Sequence, residues 1–418
     1  MFERPRSGER AILVHIKLNS FTHQADLGEF VELAASAGAE CVDQLTGKRD
    51  LPHPAHFIGK GKLEELKNQI EADEIELVIF NHSLSPSQER NLEAALQCRV
   101  LDRSGLILDI FAQRARTFEG KLQVELAQLK HLSTRLIRGW THLERQKGGI
   151  GLRGPGETQL ETDRRLLGDR IKQLNKQLDR VSQQRNLSRR ARKRADVPVV
   201  ALVGYTNAGK STLFNCLTDA KVYAEDKLFA TLDTTMRQDI LEDKTKVIFA
   251  DTVGFIQQLP HDLIAAFRAT LEETCQATVL LHVVDASDPE RLERIEQVNH
   301  VLDQIGALEV PQIMVYNKID RMEEVARIEQ QGQGDEVRKK VWLSAKTGAG
   351  IPLLQQTLQT FLHPEKVHCC LRLPVTAQSL RSKLFTEATI LKEDYADNGD
   401  SLLEISMHIR QFAQLSID

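Results

Sequence analysis

The chain has 418 residues, 41% of them hydrophobic and 27% charged, with a formal net charge of −4 at pH 7. This length predicts several domains, and the composition is that of a globular protein, not of a disordered or fibrous chain. With no apolar run of about 18 residues, no signal-peptide pattern and six cysteines without a C-x-x-C pair, we expect a cytoplasmic protein with reduced thiols and no transmembrane helix.

The first segment, residues 1–113, has the pattern of a small α/β domain. An apolar run at Ala11–Leu18 predicts a strand, and helical spacing follows at Leu27–Ala37. A second helical stretch, Lys62–Glu71, precedes another short strand at Glu76–Phe80. Strands that alternate with helices predict a parallel sheet.

A glycine- and lysine-rich segment, His56–Lys62, opens the second of these helices. Two glycines and two lysines at a helix start could hold a phosphate of a nucleotide or of RNA. The segment is not a complete phosphate loop, however, and an ordinary helix-entry loop is the interpretation that the sequence favours.

Residues 114–195 change to two amphipathic helical patterns. In each, apolar residues recur at three- and four-residue steps, as in Leu122, Leu126, Leu129, Leu132, Leu136, Trp140 and Leu143, and in Leu167, Ile171, Leu174, Leu178 and Val181. Such seams predict an antiparallel helical hairpin, a helical arm whose first helix, Glu119–Arg145, would be about 40 Å long. Gly148–Gly156, with five glycines and Arg153, would form the tip of this arm.

Positive charge is concentrated on the second helix of the arm. Between Arg164 and Arg194 there are twelve Lys and Arg residues against two acids. A basic run such as Arg185–Arg194 is often only a solvated face, but beside a protruding arm it favours nucleic-acid binding through phosphates and shape. Few aromatic residues lie nearby, which argues against stacking on single-stranded bases.

Residues 196–363 have the pattern of a doubly wound α/β domain. Buried strands are predicted at Val197–Val203, Lys246–Asp251, Thr278–Asp285, Gln312–Asn317 and Lys340–Leu343, with helices between them. The remaining residues, 364–418, show short strand-like pieces around a turn at Asp397–Gly399, and we expect a small α+β domain there.

A phosphate-binding loop follows the first of these strands without deviation from G-x-x-x-x-G-K-S, and it opens a helix at Ser211–Leu217. Its backbone N–H groups and the helix N-terminus would bind the β- and γ-phosphates. We expect Lys210 to neutralise those oxygens and Ser211 to offer its hydroxyl to Mg²⁺. The loop consists of Gly204, Tyr205, Thr206, Asn207, Ala208, Gly209, Lys210 and Ser211.

A D-x-x-G segment, Asp251–Gly254, ends the next strand (Asp251, Thr252, Val253 and Gly254). We expect Asp251 to hold the Mg²⁺ shell and the Gly254 N–H to meet the γ-phosphate.

A switch segment, Phe229-Ala230-Thr231-Leu232-Asp233, lies between the phosphate-binding loop and the D-x-x-G segment. In it, a threonine would bind Mg²⁺ only while the γ-phosphate is present. Spacing leaves Thr231, Thr234 and Thr235 open, and we favour Thr231.

A guanine-reading element, Asn317-Lys318-Ile319-Asp320, follows a later strand. The Asp320 carboxylate can accept from N1–H and the N2 amino group of guanine, donors that adenine lacks. Asn317 would brace the loops and Lys318 would cover the base. Ser344-Ala345-Lys346, after the last strand, would place a backbone N–H near guanine O6. These elements predict GTP binding and hydrolysis.

Position 255, where many small GTPases have a glutamine that orients the attacking water, is Phe. Either another group positions the water, or hydrolysis stays slow until a partner completes the site. We favour the second interpretation, and Phe255 could equally be a core residue turned away from the nucleotide.

Several motifs together resemble the bacterial HflX GTPases. They are IGKGKLEEL at 58–66, GGIGLRGPGETQLETDRR at 148–165, GYTNAGKSTLFN at 204–215, FATLDTT at 229–235, DTVGFI at 251–256 and NKID at 317–320. The resemblance spans essentially the whole chain, and the GPGETQ-type tip is its most specific part. A hydrophobic residue after D-x-x-G belongs to the same pattern.

The resemblance implies a cytoplasmic GTPase that binds the large ribosomal subunit and its rRNA and splits or rescues stalled ribosomes under stress. The charge pattern permits peripheral contact with membranes but does not demand it. It implies GTP/GDP and Mg²⁺ as ligands, with ATP at the N-terminal domain, and we expect a monomer. Two other readings stay open: an ATP-driven RNA-remodelling enzyme and a GTP-gated adaptor. A tRNA-modifying GTPase would need a methylene-transfer domain or a terminal cysteine motif, and neither is visible.

Overall fold

The computed structural model describes residues 8–18, 26–136, 155–194, 197–218, 228–229, 231–232, 234–241, 245–257, 273–331, 338–362, 366–374, 380–381, 384–385, 388–395 and 400–408. They form two compact units, one of residues 1–239 with 247–349 and one of residues 240–246 with 350–418. Within the described part of the chain, no helix has the length and apolar character needed to cross a membrane.

The N-terminal sheet is parallel, as predicted, with strand order β2-β1-β3-β4. The sequence pattern missed β2 and β4, which are short or polar. The elements are β1 (Arg10–Leu18), β2 (Glu40–Arg49), β3 (Leu77–Phe80), β4 (Arg99–Leu101), α1 (Leu27–Ala37), α2 (Lys60–Asp73), α3 (Pro86–Leu96) and α4 (Arg103–Arg114).

Both faces of this sheet are buried. Successive residues of β1 point to opposite sides of the sheet, and each set enters an apolar core. Ala11 and Leu13 join one apolar core, and Ile12 and Val14 join the other. The helices that cover the sheet carry local start and stop signals. Asp26 caps α1 by accepting from the Gly28 N–H, and α3 opens with a Ser85–Gln88 capping box.

The helical arm consists of α5 (Phe118–Leu136) and α6 (Pro155–Arg194). Its helices are antiparallel. Arg170 forms an ion pair with Glu125 (2.7 Å), whereas Arg185, farther along α6, forms one with Glu119 (2.8 Å), which comes earlier in α5. Its seam contains the predicted residues Leu122, Leu126 and Leu174. Residues 137–154, including Arg153 and most of the predicted tip, lie outside the described residues.

The second helix of the arm begins inside the predicted tip segment Gly148–Gly156, because α6 already begins at Pro155. Proline favours the first turn of a helix, because its fixed φ suits that position and its missing N–H has no intrahelical partner there. Gly156 therefore belongs to the helix.

The central domain is a mixed, doubly wound sheet in the order β10-β11-β9-β8-β5-β7-β6. Neighbouring strands are parallel across β7, β5, β8, β9 and β11. At the edge of the sheet, β10 pairs with β11 in the antiparallel direction. Its elements are β5 (Val199–Gly204), α7 (Lys210–Thr218), β6 (Thr235–Ile240), β7 (Lys246–Asp251), β8 (Val279–Asp285), α8 (Arg291–Ile305), β9 (Gln312–Asn317), β10 (Arg327–Gln331) and β11 (Arg338–Trp342).

The second compact unit contains α9 (Ile351–Leu362) and an antiparallel sheet in the order β12-β14-β13. The strands are β12 (Lys366–Leu373), β13 (Thr389–Tyr395) and β14 (Ser401–His408). Their common core contains Leu373, Leu384, Leu403 and Ile405. The predicted turn Asp397–Gly399 lies outside the described residues, and the four domain ranges inferred from the sequence stay predictions.

Candidate nucleotide site

The predicted nucleotide motifs meet at the carboxyl ends of β5, β7 and β9, where ligands of open parallel sheets bind. A cavity of about 330 Å³ lies there. It is lined by Thr206, Asn207, Gly209, Lys210, Ser211, Thr212, Phe229, Thr231, Thr252, Gly254, Asn317, Lys318, Asp320, Arg321, Ala345 and Lys346.

Two glycines let the phosphate loop approach its neighbours closely. Gly204 has a φ of +146°, and a Cβ there would lie 2.2 Å from the Val283 carbonyl oxygen. Gly209 has a φ of +90°, and its Cβ would lie 2.3 Å from Asn317 Nδ2. Both conformations are rare for residues with side chains. The loop geometry therefore requires glycine at both positions.

Lys210 is buried inside the loop and its Nζ donates to the Tyr205 carbonyl oxygen at 2.6 Å. Burial lowers the pKa of Lys210 to about 8, although Asp251 acts in the opposite direction. The Asp251 carboxylate and the Tyr205 carbonyl oxygen therefore offset only part of the cost of burying this cation. The arrangement therefore suits a lysine that binds phosphate oxygens.

The depressed pKa of Lys210 predicts a pH dependence of GDP binding. Phosphates beside the ammonium group favour its charged form, so the bound state holds the proton more tightly than the free state. Above pH 8, free Lys210 loses its proton and must regain it on binding. We expect the GDP affinity, measured by calorimetric titration, to fall by up to about tenfold per pH unit there. A flat affinity between pH 7 and 9 would contradict this assignment.

Three oxygen-bearing side chains converge at the predicted Mg²⁺ position. Ser211 Oγ lies 2.7 Å from Thr231 Oγ1 and 2.7 Å from Asp251 Oδ2, and Thr231 Oγ1 lies 3.0 Å from the same carboxylate oxygen. Thr231 is thus the threonine that the structure brings to this place, whereas Thr235 begins β6.

The donor set fits a hard divalent cation, which prefers hydroxyl, carboxylate and water oxygens. Asp251 is fully buried, and its Oδ1 has no hydrogen-bond partner among the described residues. Burial raises the pKa of Asp251, while hydrogen bonds from Ser211 and Thr231 and the charge of Lys210 oppose that shift. A carboxylate with one oxygen unsatisfied is placed to bind a cation or its water shell.

The guanine-reading elements are joined by side-chain hydrogen bonds. Asn317 Nδ2 donates to the Ala208 carbonyl at 2.9 Å, and the Ala345 N–H donates to Asn317 Oδ1 at 2.9 Å. Ser344 Oγ donates to Asp320 Oδ1 at 2.5 Å. Asn317 therefore connects the phosphate loop to the Ser344–Lys346 loop, and Ser344 orients the Asp320 carboxylate.

Sequence reasoning missed two charged residues at this site. Asp285, at the end of β8, forms a 2.8 Å ion pair with Lys318, and hydrogen bonds from Lys318 and Ser287 lower its pKa despite burial. Arg321 lines the nucleotide cavity directly after Asp320. The position of Asp285 at the carboxyl end of a central strand was a usable signal, because such ends share one edge of the sheet.

Some predicted residues do not line the cavity. The Tyr205 hydroxyl instead contacts Glu29 of the N-terminal domain, and Leu232 and Val253 belong to an apolar core. Ile319 is buried beside Tyr316 in another core. Four other predicted residues do not line the cavity but contact residues that do or lie next to them: Gly204, Ala208, Asp251 and Ser344. Ala230 and Asp233 lie outside the described residues.

Phe255 is a core residue, one of the alternatives left open above. It is 2% exposed and packs with Tyr205, Leu280 and Val298. Its backbone N–H donates to the Gly204 carbonyl at 3.1 Å. The ring therefore cannot position an attacking water.

In the glycine-rich helix entry of the N-terminal domain, the side chain of Arg49 lies close to Gly59. A Cβ there would lie 2.6 Å from Arg49 Nη1, and the preceding Phe57 and Ile58 are buried. These contacts fit an ordinary entry loop to α2. Nothing at Gly59, and nothing in the comparisons below, supports ATP as a ligand.

Three parts of the chain match known protein families. Residues 24–112 match the family described as GTP-binding GTPase N-terminal, and residues 114–192 match the GTP-binding GTPase middle region. Residues 199–318, which contain most of the motifs at the site, match the family described as 50S ribosome-binding GTPase.

Individual relatives align along nearly the whole chain. GTPase HflX of Escherichia coli (strain K12) is 56% identical over 417 residues, 99% of this chain and 97% of the relative. GTPase HflX of Caldanaerobacter subterraneus subsp. tengcongensis is 46% identical over 412 residues, 98% of this chain and 94% of the relative. Among solved structures, SsGBP with GDP has a TM-score of 0.48 and 24% identity, covering 85% of this chain and 98% of that chain.

Proposed function

This chain belongs to the HflX family of GTPases, and from that premise we propose that it binds the large ribosomal subunit and splits or rescues stalled ribosomes under stress. GTP hydrolysis itself follows from family membership. The observation that carries the proposal is the match of residues 199–318 to a family described as 50S ribosome-binding GTPase. We propose a cytoplasmic monomer that makes peripheral membrane contact at most.

The helical arm supports an RNA partner. On α6, basic side chains such as Arg164, Arg165 and Lys172 are exposed, the last at 78% of its side chain. Basic side chains bind nucleic-acid phosphates without reading the base sequence, and this binding weakens as the salt concentration rises. We propose that Arg185–Arg194 contacts rRNA, and that the tip Gly148–Gly156 with Arg153 enters a cavity walled by RNA.

We propose that Ser211, Thr231 and Asp251 hold Mg²⁺, which would neutralise charge on the β- and γ-phosphates. Lys210 would bind the same oxygens, and the Gly254 N–H would meet the γ-phosphate. Asp320, Asn317 and the Ser344–Lys346 loop would select guanine. Because Phe255 is buried, we propose that the ribosome completes the site for the attacking water.

The proposal is tested by GTP turnover at fixed salt, with and without purified large ribosomal subunits. We expect stimulation by about 10²-fold or more if the partner supplies or orients a catalytic group. Lys210→Ala serves as the blank, because it removes the phosphate-binding cation. Deletion of Gly148–Gly156 should abolish stimulation while leaving the basal rate unchanged. Equal rates with and without subunits would show that the partner is something else.

A further inference from the structure

A buried polar network joins the N-terminal domain to the phosphate loop. The Tyr205 hydroxyl donates to Glu29 Oε2, and Glu29 Oε1 accepts from Arg103 Nη2 at 2.5 Å. The three residues are only 5%, 7% and 2% exposed, respectively. A buried ion pair is costly unless its geometry and hydrogen bonds are complete. This ion pair is therefore weak evidence for a role in stability, and its position beside the phosphate loop indicates a role at the nucleotide site.

The same network holds the segment that follows D-x-x-G. Arg103 Nη2 donates to the Gln257 carbonyl at 2.9 Å, and the Gln257 N–H donates to Tyr205 Oη at 2.9 Å. Gln257 Oε1 in turn accepts from the Asp26 N–H at 3.1 Å. Gln257 stands three residues after Gly254. The backbone that would meet the γ-phosphate is thus fixed from the N-terminal domain.

The Tyr205 hydroxyl is the centre of this arrangement, because it donates one hydrogen bond and accepts another. Burial and the neighbouring Glu29 raise the pKa of Tyr205, so the phenol stays a neutral donor. The guanidinium of Arg294 lies 4.8 Å from the centre of its ring. Loss of the hydroxyl alone would leave both Glu29 and the Gln257 N–H without this partner, with little change in volume.

Apolar packing connects the N-terminal domain to the other switch segment as well. Leu228, Phe229 and Leu232 belong to the same core as Phe30 and Phe111. The rings of Phe111 and Phe229 meet edge to face, with centroids 4.7 Å apart. Val253 and Ile256, which flank Gly254 and Phe255, lie in this core too. One core therefore contains residues from both sides of the phosphate site.

The packing favours one arrangement of the switch. Thr231 lies between two residues of that core, and its Oγ1 stands 2.7 Å from Ser211 Oγ at the proposed Mg²⁺ position. A threonine in that place belongs to the triphosphate-bound arrangement of a GTPase switch. Contacts that hold Phe229 and Leu232 therefore also hold Thr231 where GTP requires it.

We propose that Glu29, Arg103 and Tyr205 are positioning residues for GTP hydrolysis, through which the N-terminal domain holds the backbone around Gly254 against the phosphates. The shared apolar core holds Thr231. None of the three touches the reacting atoms. They act through Gln257 and the backbone that precedes it, so their loss should slow the chemical step and weaken the preference for the triphosphate over GDP. This inference rests on the GTPase activity alone and does not need the ribosome.

The test uses Tyr205→Phe and Glu29→Gln in the full chain, without ribosomal subunits. We expect the single-turnover rate at saturating GTP to fall about tenfold to a hundredfold, as for a misplacement of order 1 Å. The GDP affinity should stay within about twofold of the unchanged protein, and the ratio of GTPγS to GDP affinity should fall. The double variant should be no slower than the worse single variant, because both changes break one network.

Glu32→Gln is the matched control, since it removes the same charge from an exposed position on α1. Rates are expressed per GDP-binding site, so misfolded protein does not count. An unchanged rate in Tyr205→Phe would overturn the proposal. So would a GDP affinity that falls in proportion to the rate, because that outcome indicates general damage to the nucleotide site. The proposed function is tested separately, by stimulation of turnover by the large ribosomal subunit. The intrinsic rates measured here without subunits do not depend on its outcome.

Discussion

Asp320→Asn is expected to weaken GTP and GDP binding by about 10²- to 10⁴-fold, from the loss of two hydrogen bonds to a charged group at about 1.5–3 kcal/mol each. The Asp320 carboxylate accepts from Ser344 Oγ at 2.5 Å, which leaves its other oxygen and remaining lone pairs for guanine. An amide supplies one acceptor and one donor, so it cannot accept from both N1–H and the N2 amino group. Equilibrium titration with fluorescent GDP measures the change.

Xanthine nucleotides provide the complementary measurement for this variant. Xanthine has a carbonyl oxygen where guanine has its N2 amino group, so the new amide N–H₂ can donate to it. We expect Asp320→Asn to bind XDP more tightly than GDP. Glu323→Gln, an equal charge change at an exposed position three residues later, should leave GDP binding unchanged. Wild-type GDP affinity in Asp320→Asn would exclude Asp320 from base recognition.

Gly204→Ala is expected to destabilise the central domain by about 2–6 kcal/mol, combining backbone strain and overpacking. Gly204 has a φ of +146°, and the added methyl group would lie 2.2 Å from the Val283 carbonyl oxygen. Backbone of a central strand cannot move aside as a flexible side chain can. We therefore expect a fall of at least about 5 °C in the thermal midpoint, measured by calorimetry without nucleotide.

Gly168→Ala is the matched control for that substitution. Gly168 lies within α6, and nothing approaches within 4 Å of the position of an added Cβ. Alanine has a higher helix propensity than glycine by about 1 kcal/mol. The same chemical change should therefore leave the midpoint equal or higher. A fall of equal size in both variants would indicate that the close contact at Gly204 is not the cause.

The buried position of Phe255 and the network around Tyr205 have a joint consequence for catalysis. The side chain after D-x-x-G packs in the core, so it offers no group to the attacking water. What the chain itself supplies is the position of the backbone around Gly254, fixed from Glu29 and Arg103 through Gln257. We propose that the ribosome adds the remaining catalytic contribution to a site that the N-terminal domain has already positioned.

Local sequence patterns were sufficient for much of the nucleotide site. The phosphate loop, the D-x-x-G segment and Asn317–Asp320 each consist of neighbouring residues placed at the end of a buried strand. Carboxyl ends of parallel strands share one edge, so three short motifs and their order predict one cavity. Amphipathic periodicity likewise predicted both helices of the arm, because a seam on one face needs no knowledge of distant contacts.

Contacts between distant parts of the chain could not be predicted in this way. Tyr205 stands in a phosphate-binding motif, yet its hydroxyl meets Glu29, 176 residues away. Phe229 belongs to a switch motif, yet its ring packs on Phe111 of another domain. Neither partner follows a local period or spacing. The sequence predicted which residues bind GTP. Only tertiary packing decided which of them contact the N-terminal domain, because burial and pairing depend on neighbours that folding brings together.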